Sequence, residues 1–146
     1  MHPYPHRYTV DAEATATGTV AVGAAGLATL DTSSPPEFDG PPGHWSPETL
    51  LVAAVADCYV LSFRAVARAA AFEWKSLNCR VVGVLERVSG VTQFTRFTTA
   101  VRLRAPRGAD RERAREILER AEKVCLIANS LRGERSLEIE VLVEEP

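Results

Sequence analysis

At 146 residues the chain is long enough for one domain that buries a core without metals or crosslinks. Its 46% apolar and 25% charged residues are ordinary for a soluble globular protein, and a formal net charge of −2 leaves no basic footprint for nucleic acid. Three cysteines are too few, and odd in number, for a secreted disulfide framework.

The first residues, Met1-His2-Pro3-Tyr4-Pro5-His6, hold no apolar run, so no signal peptide is expected. From Tyr8 to Leu30 a Thr, Val and Ala-rich stretch broken by Gly18, Gly23 and Gly26 predicts a pair of strands joined by a turn. Thr32 to Gly43 is a loop stiffened by Pro35-Pro36 and Pro41-Pro42, with Phe38 and Trp45 as its apolar anchors. A helix then opens at Ser46-Pro47-Glu48. Ser46 can accept from a free backbone N–H, Pro47 suits the first helical position, and Glu48 complements the positive end of the dipole. This helix is expected to end near Phe72 and is apolar around most of its circumference, as in a helix buried on several sides. Asp57, Arg64 and Arg68 within it argue against a membrane span. The expectation is a cytoplasmic protein whose thiols start reduced.

Two strands follow, the first alternating through Leu77, Cys79, Val81, Gly83 and Leu85. After the Ser89-Gly90 turn the second alternates through Phe97, Val101 and Leu103. A second helix begins near Asp110, with Ala114, Ile117, Leu118, Ala121, Val124 and Cys125 on one face and Gly133 as its stop. The last strand points Leu137, Ile139, Val141 and Val143 one way and Glu138, Glu140 and Glu144 the other. The order ββαββαβ predicts a single α+β domain over residues 1–146, with antiparallel sheets packed on two long helices.

Cys58 and Cys125 fall on the two helices and raise the prospect of a dithiol that cycles with a disulfide. Packing alone is the plainer reading of either, since free cysteine is among the most buried residue types. Cys79 lies on an apolar strand face and reads as a core thiol. No cysteine has a C-x-x-C neighbour, and His2, His6 and His44 are too scattered for a ligand set, so no metal site is expected. No phosphate loop, dinucleotide fingerprint or nucleophile elbow is present.

Ser46-Pro47-Glu48-Thr49-Leu50-Leu51, followed by Ala56-Asp57-Cys58, is similar to the first-helix signature of the OsmC/Ohr family, the organic hydroperoxide reductases. The segment Glu122 to Leu131 is similar to that family's second-cysteine segment, and Thr15-Ala16-Thr17-Gly18 resembles part of its N-terminal strands. The resemblance runs from about Tyr8 to Val143 and implies a thiol-dependent peroxidase without bound metal or nucleotide. By resemblance, Cys58 attacks the peroxide, Cys125 resolves the product as a disulfide, and Glu48 orients an arginine at the site. A dihydrolipoyl group on a lipoylated protein would return the dithiol. Tyr59, Phe63, Phe38 and Trp45 could line an apolar pocket, though each can equally be core. Glu48 and Cys58 are separated by about 15 Å of straight helix, which the family's intertwined homodimer would reconcile by building each site from two subunits. One departure stands out. The family's hydroperoxide reductases carry an arginine shortly after the stretch matching Thr15 to Gly18, and here Thr19-Val20-Ala21-Val22 follows. Two rival readings are a binding protein for small apolar ligands that kept the fold without the catalysis, and a structural dimer with inert cysteines.

Overall fold

Three short runs of small and β-branched residues pair early in the chain: β1 (Asp11–Glu13), β2 (Val20–Gly23) and β3 (Leu30–Thr32). They form an antiparallel sheet in that order, so three strands stand where the sequence predicts two. At three or four residues each, these strands are too short to show an alternation of their own. The following loop holds a 3-10 turn over Pro36–Phe38 and closes on itself, Ser33 N–H donating to the Trp45 carbonyl at 3.0 Å. The computed structural model describes all 146 residues, and they divide into two compact units, Met1–Leu51 and Val52–Pro146.

Helix α1 (Pro47–Ala69) starts as its sequence predicts. Thr49 N–H donates to Ser46 Oγ at 3.1 Å while Ser46 N–H donates to Thr49 Oγ1 at 2.9 Å, a reciprocal cap that satisfies two donors. It stops at Ala69 rather than near Phe72. Ala71 turns left-handed at φ 49, with Ala71 N–H on Arg68 O at 3.1 Å and Phe72 N–H on Ala67 O at 2.9 Å. That is a Schellman ending without its usual glycine.

In the second unit β4 (Ser76–Val88) and β5 (Val91–Ala105) make a long hairpin, turned at Ser89 (φ 50) and Gly90 (φ 80). Both positive φ values suit a tight two-residue hairpin turn. Helix α2 (Arg111–Val124) is capped by Asp110, whose Oδ1 accepts from Glu112 N–H at 2.9 Å and Arg113 N–H at 3.2 Å. A short α3 (Leu126–Asn129) and strand β6 (Glu134–Val143) complete the chain. Gly133, at φ 109, admits the chain to β6 where a Cβ would come within 2.8 Å of the Thr95 carbonyl.

The second sheet has the order β4-β5-β6, and β6 lies parallel to β5. The α+β class with two sheets and long helices therefore holds, but this sheet is mixed rather than wholly antiparallel. Alternation reveals which face of a strand is buried and not its direction; the connection through α2 makes the parallel pairing possible. The paired rows Phe97–Arg135, Thr99–Leu137, Val101–Ile139 and Leu103–Val141 share one face. On that face Tyr59, Phe63 and Ala67 of α1 meet Val101 and Leu103 of β5 and Ala114, Ile117, Leu118 and Ala121 of α2. Full burial of a large apolar side chain such as Phe63 or Leu118 contributes about 1.5–3 kcal/mol.

Candidate functional site

All three cysteines are free thiols. Cys58 sits on α1, half-buried, one turn before Ser62, whose Oγ lies 3.9 Å from its sulfur. Cys125 is fully buried. It is not inside a helix, as the sequence predicts, but at the break between α2 and α3, with φ −65 and ψ 100. The two thiols lie near each other, for Cys58 is among the groups that raise the Cys125 thiol. Burial pushes the Cys125 thiol up to about 11; a backbone hydrogen bond at Ala128 acts the other way, and Cys58 and the Glu122 carboxylate add to the rise. Cys79, on β4, faces the same cluster. Burial, then Cys125 and Glu122, raise its thiol to about 11 as well.

Tyr59 and Phe63 lie together in the core of the second unit, 1% and 0% exposed. The Tyr59 hydroxyl donates to the Leu118 carbonyl at 2.8 Å, and burial, followed by Cys79, Glu122 and Cys125, drives its phenol well above the ordinary range. Phe38 and Trp45 are exposed residues of the first unit, 53% and 50% accessible, rather than buried anchors of their loop. Glu48 stands in the first turn of α1, and its Oε2 is buried without a hydrogen-bond partner. The helix is unbroken from Pro47 to Ala69, which leaves Glu48 and Cys58 about 15 Å apart along its axis.

Of the arginines that could stand in for the absent one, Arg7 is exposed near the start of the chain, Arg64 is exposed on α1, and Arg96, Arg102 and Arg104 are exposed on β5. Arg102 is already paired, its Nε 2.6 Å from Glu140 Oε2. The cation that pairs with Glu122, the carboxylate bearing on Cys125 and Cys79, is Arg135, whose Nε lies 2.8 Å from Glu122 Oε1. Neither partner stands out by residue type. The available signal is parity: Arg135 shares the two-residue beat of Leu137, Ile139 and Val141, a charge at the head of an apolar face. No three His, Cys, Asp or Glu side chains converge as a metal site.

A pair of reduced thiols, one on a long apolar helix and one at a helix break over a mixed sheet, defines an α+β dithiol protein. The chain belongs to the OsmC/Ohr family, and the family model for OsmC-like proteins matches residues 40–140. An uncharacterised Bacillus subtilis protein, YmaD, is 24% identical over 115 residues, 77% of each chain. Among solved structures, an OsmC-like protein of unknown function from Vibrio cholerae aligns with a TM-score of 0.84 at 19% identity, over 93% of this chain and 100% of that one. An organic hydroperoxide resistance protein from Elizabethkingia anophelis aligns with a TM-score of 0.75, also at 19% identity, over 97% and 100%.

Proposed function

We propose that this protein is a thiol-dependent peroxidase that reduces organic hydroperoxides to alcohols in the cytoplasm. The observation that carries the reading is the adjacency of two free thiols, Cys58 and Cys125, in a member of the OsmC/Ohr family. Cys58 is the attacker. Its thiolate takes the distal peroxide oxygen, the O–O bond breaks, and the alkoxide leaves with a proton as alcohol; sulfur loses the two electrons that the peroxide gains. Cys125 is the resolver. Deep burial and a thiol held protonated make it a poor first nucleophile, but it can condense with the Cys58 sulfenic acid to give a disulfide and water. An external dithiol, a dihydrolipoyl group on a partner protein, returns both thiols.

Glu48 organises the site in an intertwined homodimer, where a partner subunit supplies what one helix cannot bring to Cys58. The unpartnered buried Oε2 of Glu48 supports this, because a buried acceptor without a donor is costly. Tyr59 and Phe63, 1% and 0% exposed in the core, offer no surface to a substrate within this chain.

A second reading, a binding protein for small apolar ligands with little or no peroxidase activity, draws on one observation. The charge that bears on Cys125 is the anion of Glu122, and no cation is among the groups acting on it. Peptide mapping separates the two. Reduced protein given a stoichiometric alkyl hydroperoxide will link Cys58 to Cys125 and leave Cys79 free, and Cys58→Ser will abolish turnover. Should Cys58 stay a thiol in folded, peroxide-treated protein, the binding reading replaces the enzymatic one.

A further inference from the structure

The side chain of Arg135 grips the chain on both sides of Cys125. Its Nε donates to Glu122 Oε1 at 2.8 Å, its Nη2 to the Glu122 carbonyl at 2.6 Å, and its Nη1 to Asn129 Oδ1 at 2.7 Å. Asn129 in turn donates from Nδ2 to the Lys123 carbonyl at 3.1 Å. A helix that ends leaves its last carbonyls without intrahelical donors. Here the Lys123 carbonyl is taken by Asn129, and the Glu122 carbonyl, which also accepts from Cys125 N–H at 3.4 Å, is taken by Arg135. The break is therefore built into the fold, since its polar groups are satisfied by side chains from β6 and α3. With Glu122 only 18% exposed and Arg135 28%, the ion pair is partly shielded from water.

We propose that Arg135 is the positioning residue of the dithiol, fixing the break between α2 and α3 so that the Cys125 sulfur is presented to Cys58. This deepens the assignment of Cys58 and Cys125 as a reacting pair and rests on it. Closing the disulfide forms one S–S bond. After peroxide, the Cys58 S–O bond breaks and the hydroxyl leaves with the Cys125 proton as water. With glutathione disulfide, two exchanges pass two electrons and two protons from the protein thiols to two glutathione molecules. In either case the rate and equilibrium depend on how often the two sulfurs meet, and a displacement of about 1 Å at a reacting pair can cost about 100-fold.

The test measures the effective concentration of the pair by equilibrating the protein in glutathione redox buffers and quantifying the Cys58–Cys125 disulfide by mass spectrometry. Arg135→Gln and Arg135→Lys will each lower it about 10- to 100-fold. Lysine keeps the charge but cannot reach three acceptors with a planar fork. Arg102→Gln, which breaks the exposed pair with Glu140, will leave it unchanged and reports what a merely structural ion pair does. If Arg135→Gln does not fold, Asn129→Ala removes one anchor and will give a smaller fall. An unchanged effective concentration in the folded variants, or full rescue by Arg135→Lys, overturns the proposal. Wild-type protein that closes the disulfide in glutathione but does not react with hydroperoxide overturns the peroxidase reading and leaves the positioning role standing. Wild-type protein that closes with neither oxidant overturns both.

Discussion

Cys125 and Cys79 are weaker acids than free cysteine because burial comes first among their perturbations and a carboxylate and a second thiol stand close by. The sign of the linked stability follows. A thiol whose folded pKa is raised binds more protons folded than unfolded between the two values, so stability is whole below about 9 and is lost as pH climbs through about 11. The Tyr59 phenol, raised further, acts in the same sense. Urea midpoints will fall across that window, and they will fall less steeply in Cys79→Ala, which removes one titrating group. Equal slopes in the two proteins would contradict this account. At this scale the sequence was readable where residue type carries chemistry, as at Cys58, Cys125 and the capping Ser46. It was silent on Glu122 and Arg135, because a charge on a helix or at a strand head normally points to water, and only the assembled fold turns these two toward each other.

Among the elements, starts were plainer than ends. Ser46 and Asp110 announce their helices by side-chain chemistry, and both caps form. The end of α1 carries no such mark, since Ala71 occupies the left-handed position where glycine is usual. Apolar periodicity runs on past it to Phe72, and the helix is therefore overextended by a reading of periodicity alone. Ala71→Gly will relieve the left-handed strain, roughly 1–2 kcal/mol, against an added unfolded-state entropy of roughly 0.5–1 kcal/mol. The expected net stabilisation is roughly 0.5–1 kcal/mol by urea denaturation, and a destabilised variant would show that the ending is held by something other than this turn. The break at Cys125 is hidden for the opposite reason: helical spacing continues across it, while the side chain that stabilises the break comes from a later strand. Neither is the parallel pairing of β5 with β6 written in their alternation.

For the whole molecule, exposed apolar surface is the informative quantity. Helix α1 is long and apolar enough to cross a membrane by length and composition alone, yet only 22% of its most apolar stretch is buried within the chain. Leu61 is 52% exposed, and Leu27 of the first unit 71%. Burial on several sides, which the sequence of α1 demands, is not met by one chain, and a second copy is the proposed cover. The dimer is expected to bury more than about 2,000 Å² in total, as obligate interfaces do. Unfolding should then depend on protein concentration. Light scattering that finds a folded monomer at micromolar concentration would remove the dimer and, with it, the role proposed for Glu48. The α+β class was legible early because it needs only the kinds and order of elements. The homodimer, expected already from the apolar α1 and the resemblance, is a proposal, because an apolar helix looks the same whether its cover comes from its own chain or from another.

Strand β6 carries two kinds of information on one beat. Leu137, Ile139 and Val141 seat the strand on the core, and Arg135, aligned with Phe97, continues the same face one step beyond it. A slip of one residue turns a whole face over, and here it would swing the three anchors and the guanidinium outward at once. A slip of one residue cannot keep the core contacts and lose only the grip on Glu122 and Asn129, or the reverse. A one-residue error in zippering the final strand would thus also release the segment that carries Cys125. A deletion in the Ser130–Arg132 approach is tolerated only if the chain absorbs it before Gly133.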